Sequence, residues 1–379
     1  MKTKNLKILL CLLILGIHLP NISICQNSTK RQSVSFDRKL ISLGSLKLEF
    51  VNITKYLPKG YDKQGKTDYT RYIQKAINEN KNVVLPNFPI LVTGINLLSN
   101  SNIFFQPNSK LILKPTSDTH YMIFGIIGKK NINIYNANLV GDYDKHKGTS
   151  GEWGYGIDIR GSQNIKIYNS IISNCWGDGI CISSNSNKFS NGIQLLETKD
   201  ITIANSLIDF NRRNGITIAS GVQNIYLKNL TISNTFGVLP KAAIDIEPDH
   251  SKGKLENIVI SDSKFFNNDA GVNFHINNYA DVNKTNSVSV IVNNVSFKDQ
   301  QSAFYFGGFA KNPNKRQLDG SIKIANVSID RVKVPISRRN QSFGIYPQIE
   351  LSNFKSNNKN LSKTVLYRGV NDDKSFNLK

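Results

Sequence analysis

The sequence predicts an all-β solenoid, a chain wound as a coil of stacked parallel strands, and three observations carry that reading. Seven stretches read alike, each an alternating apolar run closed by an asparagine or aspartate: NINIYN, NIKIYN, DITIAN, NIYLKN, NIVISD, SVIVNN and SIKIAN. The closing residues are Asn136, Asn169, Asn205, Asn229, Asp262, Asn294 and Asn326, at steps of 33, 36, 24, 33, 32 and 32 residues. A self-similar period of that size marks a repeat architecture. Each run alternates with period two, so every repeat supplies strands rather than helices. Asparagines at the same turn of successive coils can hydrogen-bond one another and the nearby backbone, so this column is read as scaffold.

The elements follow in order. Residues 1–25 carry Lys2, Lys4 and Lys7, then an apolar run, then Ser23 and Cys25. That is the pattern of a secretory signal peptide cut near Cys25–Gln26. It predicts a secreted or periplasmic protein, with a lipid-anchored surface form through Cys25 as the alternative. The apolar run is too short for a spanning helix, and no transmembrane segment follows it. Residues 26–55 are polar, lack a clear period, and are expected to form a poorly ordered lead-in. The stretch GKTDYTRYIQKAINENKN offers Thr67 or Asp68 as an N-cap, with Ile73, Ala76 and Ile77 at helical spacing. A short amphipathic helix there can cover the open first coil, since the end of a solenoid needs a cap. The solenoid domain is assigned to residues 56–350, and 351–379 to a tail or far cap.

Each repeat holds a second strand: GIDIR from Gly156, GICIS from Gly179, GITIA from Gly215, AIDIE from Ala243, GVNFH from Gly271 and AFYFG from Ala303. With the Ile, Val and Phe positions inward, alternate residues point outward, and coils stack at roughly 4.8 Å. The outward columns are then Asp158, Cys181, Thr217, Asp245, Asn273 and Tyr305 and, two residues on, Arg160, Ser183, Ala219, Glu247, His275 and Gly307.

The formal charge is +21, of which the three leader lysines carry three, leaving +18. A balance that basic suits a polyanionic partner such as an acidic polysaccharide. Nucleic acid is disfavoured, because no basic stripe with interleaved aromatics appears. Beyond the leader only Cys175 and Cys181 remain, so no disulfide framework is available and the fold rests on its core.

The stretches GKTDYTRYIQKAI and NVVLPNFPILVTGINL, followed by the coils and WGDGI, resemble the pectate-lyase-like right-handed parallel β-helix superfamily. That group includes polygalacturonase-like hydrolases, polysaccharide lyases and tailspike enzymes. The resemblance covers about residues 55–340. It implies a right-handed coil and polysaccharide chemistry, and a homotrimer by analogy with tailspikes. Of the N-T-D, D-D, G-H-G and R-I-K motifs expected of polygalacturonase-like enzymes, only the GDG around Asp178 is similar, and G-H-G and R-I-K do not occur.

Four segments converge on the outward face: CWGDGI with Trp176 and Asp178, NRRNGI with Arg212 and Arg213, KAAIDIEPDH with Lys241, Asp245, Glu247 and Asp249, and GVNFH with His275. Asp245 and Glu247, two apart on one strand, share a face at roughly 6–7 Å. Inverting hydrolysis of a glycosidic bond needs an acid and a carboxylate base about 6.5–9.5 Å apart. Asp245 and Glu247 are therefore the candidate acid/base pair, with Asp178 as third carboxylate, although a wet solenoid face also carries charge without function. Trp176 offers a sugar platform or a core residue. Arg212 and Arg213 can hold a substrate anion or neutralise the carboxylates. Asp158, Lys241, Asp249 and His275 complete the substrate-binding candidates, together with Trp153 and His146 of the loop GDYDKHKGTSGEWG. That loop and the insertion SSNSNKFSN are expected to wall the cleft. No metal site or cofactor is predicted; calcium would enter only in a lyase. The function expected is hydrolysis of an acidic polysaccharide by a secreted enzyme. The alternatives are β-elimination of a uronate polymer, with Arg212, Arg213, Lys241 or His275 as base, and non-catalytic carbohydrate binding.

Overall fold

The computed structural model describes residues 30–189, 192–307, 314–338, 345–356, 359–362 and 376–378. The expected leader, residues 1–25, lies outside them. The described chain is a right-handed parallel β-helix of about nine turns with one short helix. Each coil contributes to three sheets. The first contains Trp153–Arg160, Ile180–Ser183, Ile216–Ile218, Ala242–Ile246 and Ala270–Phe274. The second contains Gln163–Tyr168, Thr198–Ala204, Val222–Lys228 and Leu255–Ser261. The third contains Ile171–Ser173, Leu207–Asp209, Thr231–Ser233 and Lys264–Phe266. In the last coils the long strands Ser287–Phe306 and Asp319–Arg338 run through all three.

The alternation read from the sequence places the core. Phe124, Ile157, Ile180, Ile216, Ile244, Val272, Phe304 and Ile336 stand in strict register, and all are fully buried. Each thus stacks on its equivalents above and below, burying apolar area without any layer outside the coil. The Gly or Ala before Ile157, Ile180, Ile216, Ile244, Val272 and Phe304 is a steric requirement. A Cβ at Gly215 would meet Ile232 Cγ2 at 2.3 Å and the Ala243 carbonyl at 2.5 Å.

The capping helix runs Thr70–Glu79, and Ile73, Ala76 and Ile77 are buried against the first coil. Tyr69 occupies the cap position, while the Asp68 carboxylate accepts from the Thr70 N–H at 3.0 Å. Residues 30–41 are not the loose lead-in expected. Arg31 donates to Asp209 at 2.8 Å, the Gln32 N–H to Asn234 at 3.0 Å, and Arg38 to the Asn169 carbonyl at 2.9 Å. The segment lies across the turns beside the third sheet and satisfies groups that the coils leave open. The repeat also persists past residue 350, where Gln348–Ser356 pairs in parallel with the preceding coil. No helix among the described residues is long and apolar enough to cross a membrane.

The asparagine column has a second cause besides hydrogen bonding. All seven closing residues sit at φ between 51° and 56°, the left-handed region that Asn and Asp tolerate better than other side chains. Asn229 also donates to Asn205 at 2.8 Å, and Asn294 to Asp262 at 2.8 Å. Asn136 instead donates to the Ile41 carbonyl of the N-terminal segment. We expect Asn229→Ala to cost about 1–2 kcal/mol of unfolding free energy through the left-handed backbone. Asn229→Gly should cost less, although it loses the same side-chain bond. Urea unfolding checks the order, and equal losses would assign the whole effect to the bond with Asn205.

Candidate active site

The outward columns of the first sheet form the floor of a cleft of about 1300 Å³. Asp158 pairs with Cys181, Cys181 with Thr217, Thr217 with Asp245, Asp245 with Asn273 and Asn273 with Tyr305, as the alignment of repeats predicts. One wall comes from loops entering the sheet, with Trp153, Leu239 and Pro240. The other comes from loops leaving it, with Pro248, Asp249 and Asn277. Trp153 and Leu239 are 53% and 68% exposed, an apolar pair open to the cleft.

The entering loops stack like the strands they feed. The Arg212 N–H donates to the Cys175 carbonyl and the Arg213 N–H to that of Gly177, both at 3.0 Å. That backbone ladder sets GDG beneath RRNG and builds a buried charge cluster. Arg213 Nη1 lies 3.2 Å from Asp178 Oδ2, Nη2 donates to Glu247 Oε1, and Nε stands 3.2 Å from Glu152 Oε2. Asp178 also accepts from the Thr217 hydroxyl at 2.8 Å and the Asn214 N–H at 3.1 Å.

Burial dominates the protonation of this cluster. It pushes Asp178 up to about 6, against the opposing effects of Arg213 and Thr217. Burial and then the Asp245 charge push Glu247 up to about 8, against the pull of Arg213. Burial also disfavours charge on Arg213, but Asp178, Glu247 and Asp245 outweigh it and hold the guanidinium firmly protonated.

Asp245 is fully buried, its Oδ1 2.9 Å from His275 Nδ1 and its Oδ2 3.4 Å from Asn214 Nδ2. His275 and Glu247 keep 25% and 26% of their side chains exposed, so these two, rather than Asp245, meet the cleft. One ligand atom each from Asp245, Glu247 and His275 lies within 4.8 Å of the others, the one such His, Cys, Asp or Glu group found among the described residues.

Of the residues predicted from sequence, Asp178, Arg213, Glu247, His275, Asp158, Asp249 and Trp153 line the cleft. Asp158 is tied there by Arg160 at 2.8 and 2.9 Å. Others are diverted. Trp176 is only 8% exposed, stacked on His146 at 3.9 Å with the Arg212 guanidinium 3.7 Å from its ring centre. It is packed as core, not offered as a sugar platform. His146 is held by Asp142 at 2.9 Å with its side chain wholly buried. Arg212 donates to the Gly151 and Trp176 carbonyls and braces the loop. Neither His146, Arg212 nor Lys241 is among the cleft-lining residues. Arg213, spread over three carboxylates, neutralises them instead of awaiting a substrate anion. Within the SSNSNKFSN insertion, Asn185–Phe189 pairs antiparallel with Gly192–Leu196, and Ser183, the first residue of the insertion, lines the cleft floor. Sequence reasoning missed Asn214, Glu152 and Arg160. Asn214 follows Arg213 directly, and Arg160 stood in the second outward column.

No family model matches the chain. Two proteins of Bacillus subtilis (strain 168) are similar in sequence. The SPbeta prophage-derived uncharacterized protein YorA is 26% identical over 196 residues, 48% of this chain and 33% of YorA. The uncharacterized protein YclG is 28% identical over 240 residues, 60% of this chain and 38% of YclG. The chain spans little more than a third of the length of the curated relatives it matches. Among solved structures, the polygalacturonase from Erwinia carotovora ssp. carotovora superposes with a TM-score of 0.57 at 15% identity, covering 92% of this chain and 99% of the other. The tailspike protein gp49 of the Acinetobacter baumannii bacteriophage Fri1, a capsular polysaccharide depolymerase, gives 0.53 at 14% identity, over 81% and 54%. At these identities the likeness shows the right-handed parallel β-helix fold.

Removing Arg213 should expose the cost of its carboxylates. Arg213→Met is expected to destabilise the fold by about 3–5 kcal/mol near neutral pH. The folded pKa of Asp178 lies above its ordinary 3.8, so its stabilising contribution is complete in acid and lost as pH rises through about 6. Without the opposing guanidinium that loss deepens. The deficit of Arg213→Met should therefore be smaller at about pH 5 than at about pH 8. Thermal unfolding at both pH values measures it, and a deficit larger in acid would contradict the cluster as described.

Proposed function

We propose that the chain is an exported polysaccharide-degrading enzyme, a glycoside hydrolase acting on an acidic polymer. The observation that carries this reading is Glu247, a partly exposed carboxyl at the cleft beside the buried Asp245 and Asp178; its partial burial and the Asp245 charge raise its pKa to about 8 and favour its protonated form. A carboxylic acid kept neutral is the proton donor that a departing glycosidic oxygen needs. Asp178, bound to the same guanidinium and raised only to about 6, is an anion at that pH. Two carboxyls whose environments separate their titrations take the acid and base roles. Asp178 lies under the cleft floor with its carboxylate buried, and is the carboxylate assigned to activate a water enclosed there, with Thr217, Asn214 and Arg213 fixing its oxygens. Asp245, buried and bonded to His275, acts as a positioning residue. The exposed Trp153 provides the apolar platform for a sugar ring. The strongly positive net charge, with Lys333 along the cleft, supports an anionic chain as substrate. That the two structural neighbours are a polygalacturonase and a capsular polysaccharide depolymerase supports the substrate class.

Elimination is the second reading, favoured by one distance. Glu247 and His275 approach within 4.8 Å on one side of the cleft. That is shorter than the about 6.5–9.5 Å gap of inverting hydrolysis, and it suits a base and an acid serving neighbouring atoms of one sugar. His275, aligned by Asp245, would then take the proton beside a uronate carboxylate and Glu247 would protonate the leaving oxygen.

Release of reducing ends from a panel of uronate and sulfated polysaccharides tests the activity. Glu247→Gln should lower turnover about 10²- to 10⁴-fold while leaving glycan binding in place. The rate should be highest between about pH 6 and 8, falling in acid as Asp178 protonates and in base as Glu247 ionises. Undiminished turnover in Glu247→Gln would remove it from the acid role. Products absorbing in the ultraviolet as unsaturated uronates would replace hydrolysis by elimination, and glycan binding without cleavage across the panel would make the protein a binding module.

A further inference from the structure

We propose that Asp245, Glu247, Asn273 and His275 form a binding site for one divalent transition-metal ion of the zinc class at the floor of the cleft. The residues occupy a square made by the register of two coils. Asp245 and Glu247 lie two apart on one edge, Asn273 pairs directly with Asp245, and the His275 N–H bonds to the Ile246 carbonyl, which sets His275 beside Glu247. Residues two apart on a strand project to the same face, so all four side chains point outward together.

Three features of this square point to an ion rather than to a merely wet, charged face. The first is spacing. His275 Nδ1 and Asp245 Oδ1 stand 2.9 Å apart, and two ligands on a tetrahedral ion with bonds of about 2.0–2.1 Å lie about 3.3–3.4 Å from each other, an opening of about half an ångström. A cation can therefore replace the proton these atoms share with little movement of either side chain. Glu247 keeps one carboxylate oxygen on Arg213 and has a second to offer.

The second feature is an orphan. Asn273 is 98% buried, lines the same cleft, and its Oδ1 has no hydrogen-bond partner. A buried carbonyl oxygen without a donor is an unmet demand, and a cation supplies what it lacks.

The third is access and support. Glu247 and His275 open to the cleft, which leaves coordination positions for water, while Asn214 holds the far oxygen of Asp245 from behind. Outer partners of that kind orient ligands. One imidazole, two carboxylates and one amide oxygen suit zinc-class ions. Calcium, which takes six to eight oxygens, finds too few here.

Binding at this site does not depend on the reaction assigned above. An ion on Glu247 would, however, remove the proton it donates, and the inhibition arm below rests on that reading. The full chain, freed of metal by a chelator, is titrated with zinc chloride by calorimetry at neutral pH, and separately with calcium chloride. We expect one zinc per chain and much weaker calcium binding. His275→Ala and Asn273→Ala should each weaken zinc about 10- to 100-fold, and Asn273→Asp, which adds a charged oxygen, should tighten it. Circular dichroism and melting temperature establish that each variant is folded. Absent zinc binding, preference for calcium, or affinity unchanged in both alanine variants overturns the site. Zinc that binds as described without slowing polysaccharide cleavage leaves the site standing and removes Glu247 from the acid role. Cleavage that proceeds through Glu247 while zinc does not bind does the reverse.

Discussion

Everything in this molecule depends on parallel strands stacked in register at a spacing near 4.8 Å. In a globular core, a side chain finds unlike neighbours from many directions. Here each meets its own equivalent from the coil above and the coil below, as the buried column from Phe124 to Ile336 shows. The same rule repeats a left-handed turn at Asn136, Asn169, Asn205 and onward. It also brings residues some 30 positions apart to hydrogen-bonding distance, as it does Asp245 and His275. Core, turns and site are three columns of one lattice.

A lattice that stacks like on like creates a difficulty where carboxylates fall in neighbouring columns. Asp178, Asp245 and Glu247 share one small buried volume, and burial raises both Asp178 and Glu247. Arg213 is the answer within the fold, touching Asp178, Glu247 and Glu152 with its three nitrogens. A planar guanidinium can serve several acceptors in fixed directions, which a lysine ammonium cannot. An arginine committed to three carboxylates is not available to other partners, and the same holds for Arg160, which is tied to Asp158 through two bonds.

The architecture was legible in the sequence because alternation and repeat length are local signals that coil geometry preserves. The outward columns were legible too, and Asp158, Thr217, Asp245, Asn273 and Tyr305 stand where the alignment sets them. What the sequence did not display was depth. Asp245 and Glu247 are two residues apart on one face, yet the first is sealed beneath Asn214 and His275 while the second opens to the cleft. Depth depends on which loop covers which position, and loops carry no period. Trp176 misled for the same reason. Beside Asp178 it reads as a platform, but the fold of residues 141–152 carries His146 onto one face, Arg212 meets the other, and Trp153 is left exposed in its place. The N-terminal segment was unreadable because its partners, the turns at Asn136, Asn169 and Asn234, are distant in sequence and follow no pattern of its own.

The irregular steps of the repeat explain why the cleft lies where it does. Between Asn205 and Asn229 the period shrinks to 24 residues, because the coil has neither a long entry nor a long exit: residues 210–215 lead into Ile216–Ile218, and only Ala219 to Gly221 lead out to Val222–Lys228. That coil raises no wall. The coils after it carry longer exits, 247–254 and 275–286, and the coil two before it is entered through 141–152. Pro248, Asp249 and Asn277 from the exits and Trp153, at the start of the strand that the entering segment feeds, stand at the rims, while Thr217 and Ala219 of the short coil lie on the floor. A uniform repeat would leave the first sheet a flat wet face on which burial could not raise a carboxyl. Insertions on both sides of one minimal coil turn it into a trough, and the trough is what withdraws Asp178 and Asp245 from solvent while leaving Glu247 and His275 at its surface. The regular stacking determines which side chains meet, and the departures from regularity determine which of them can act.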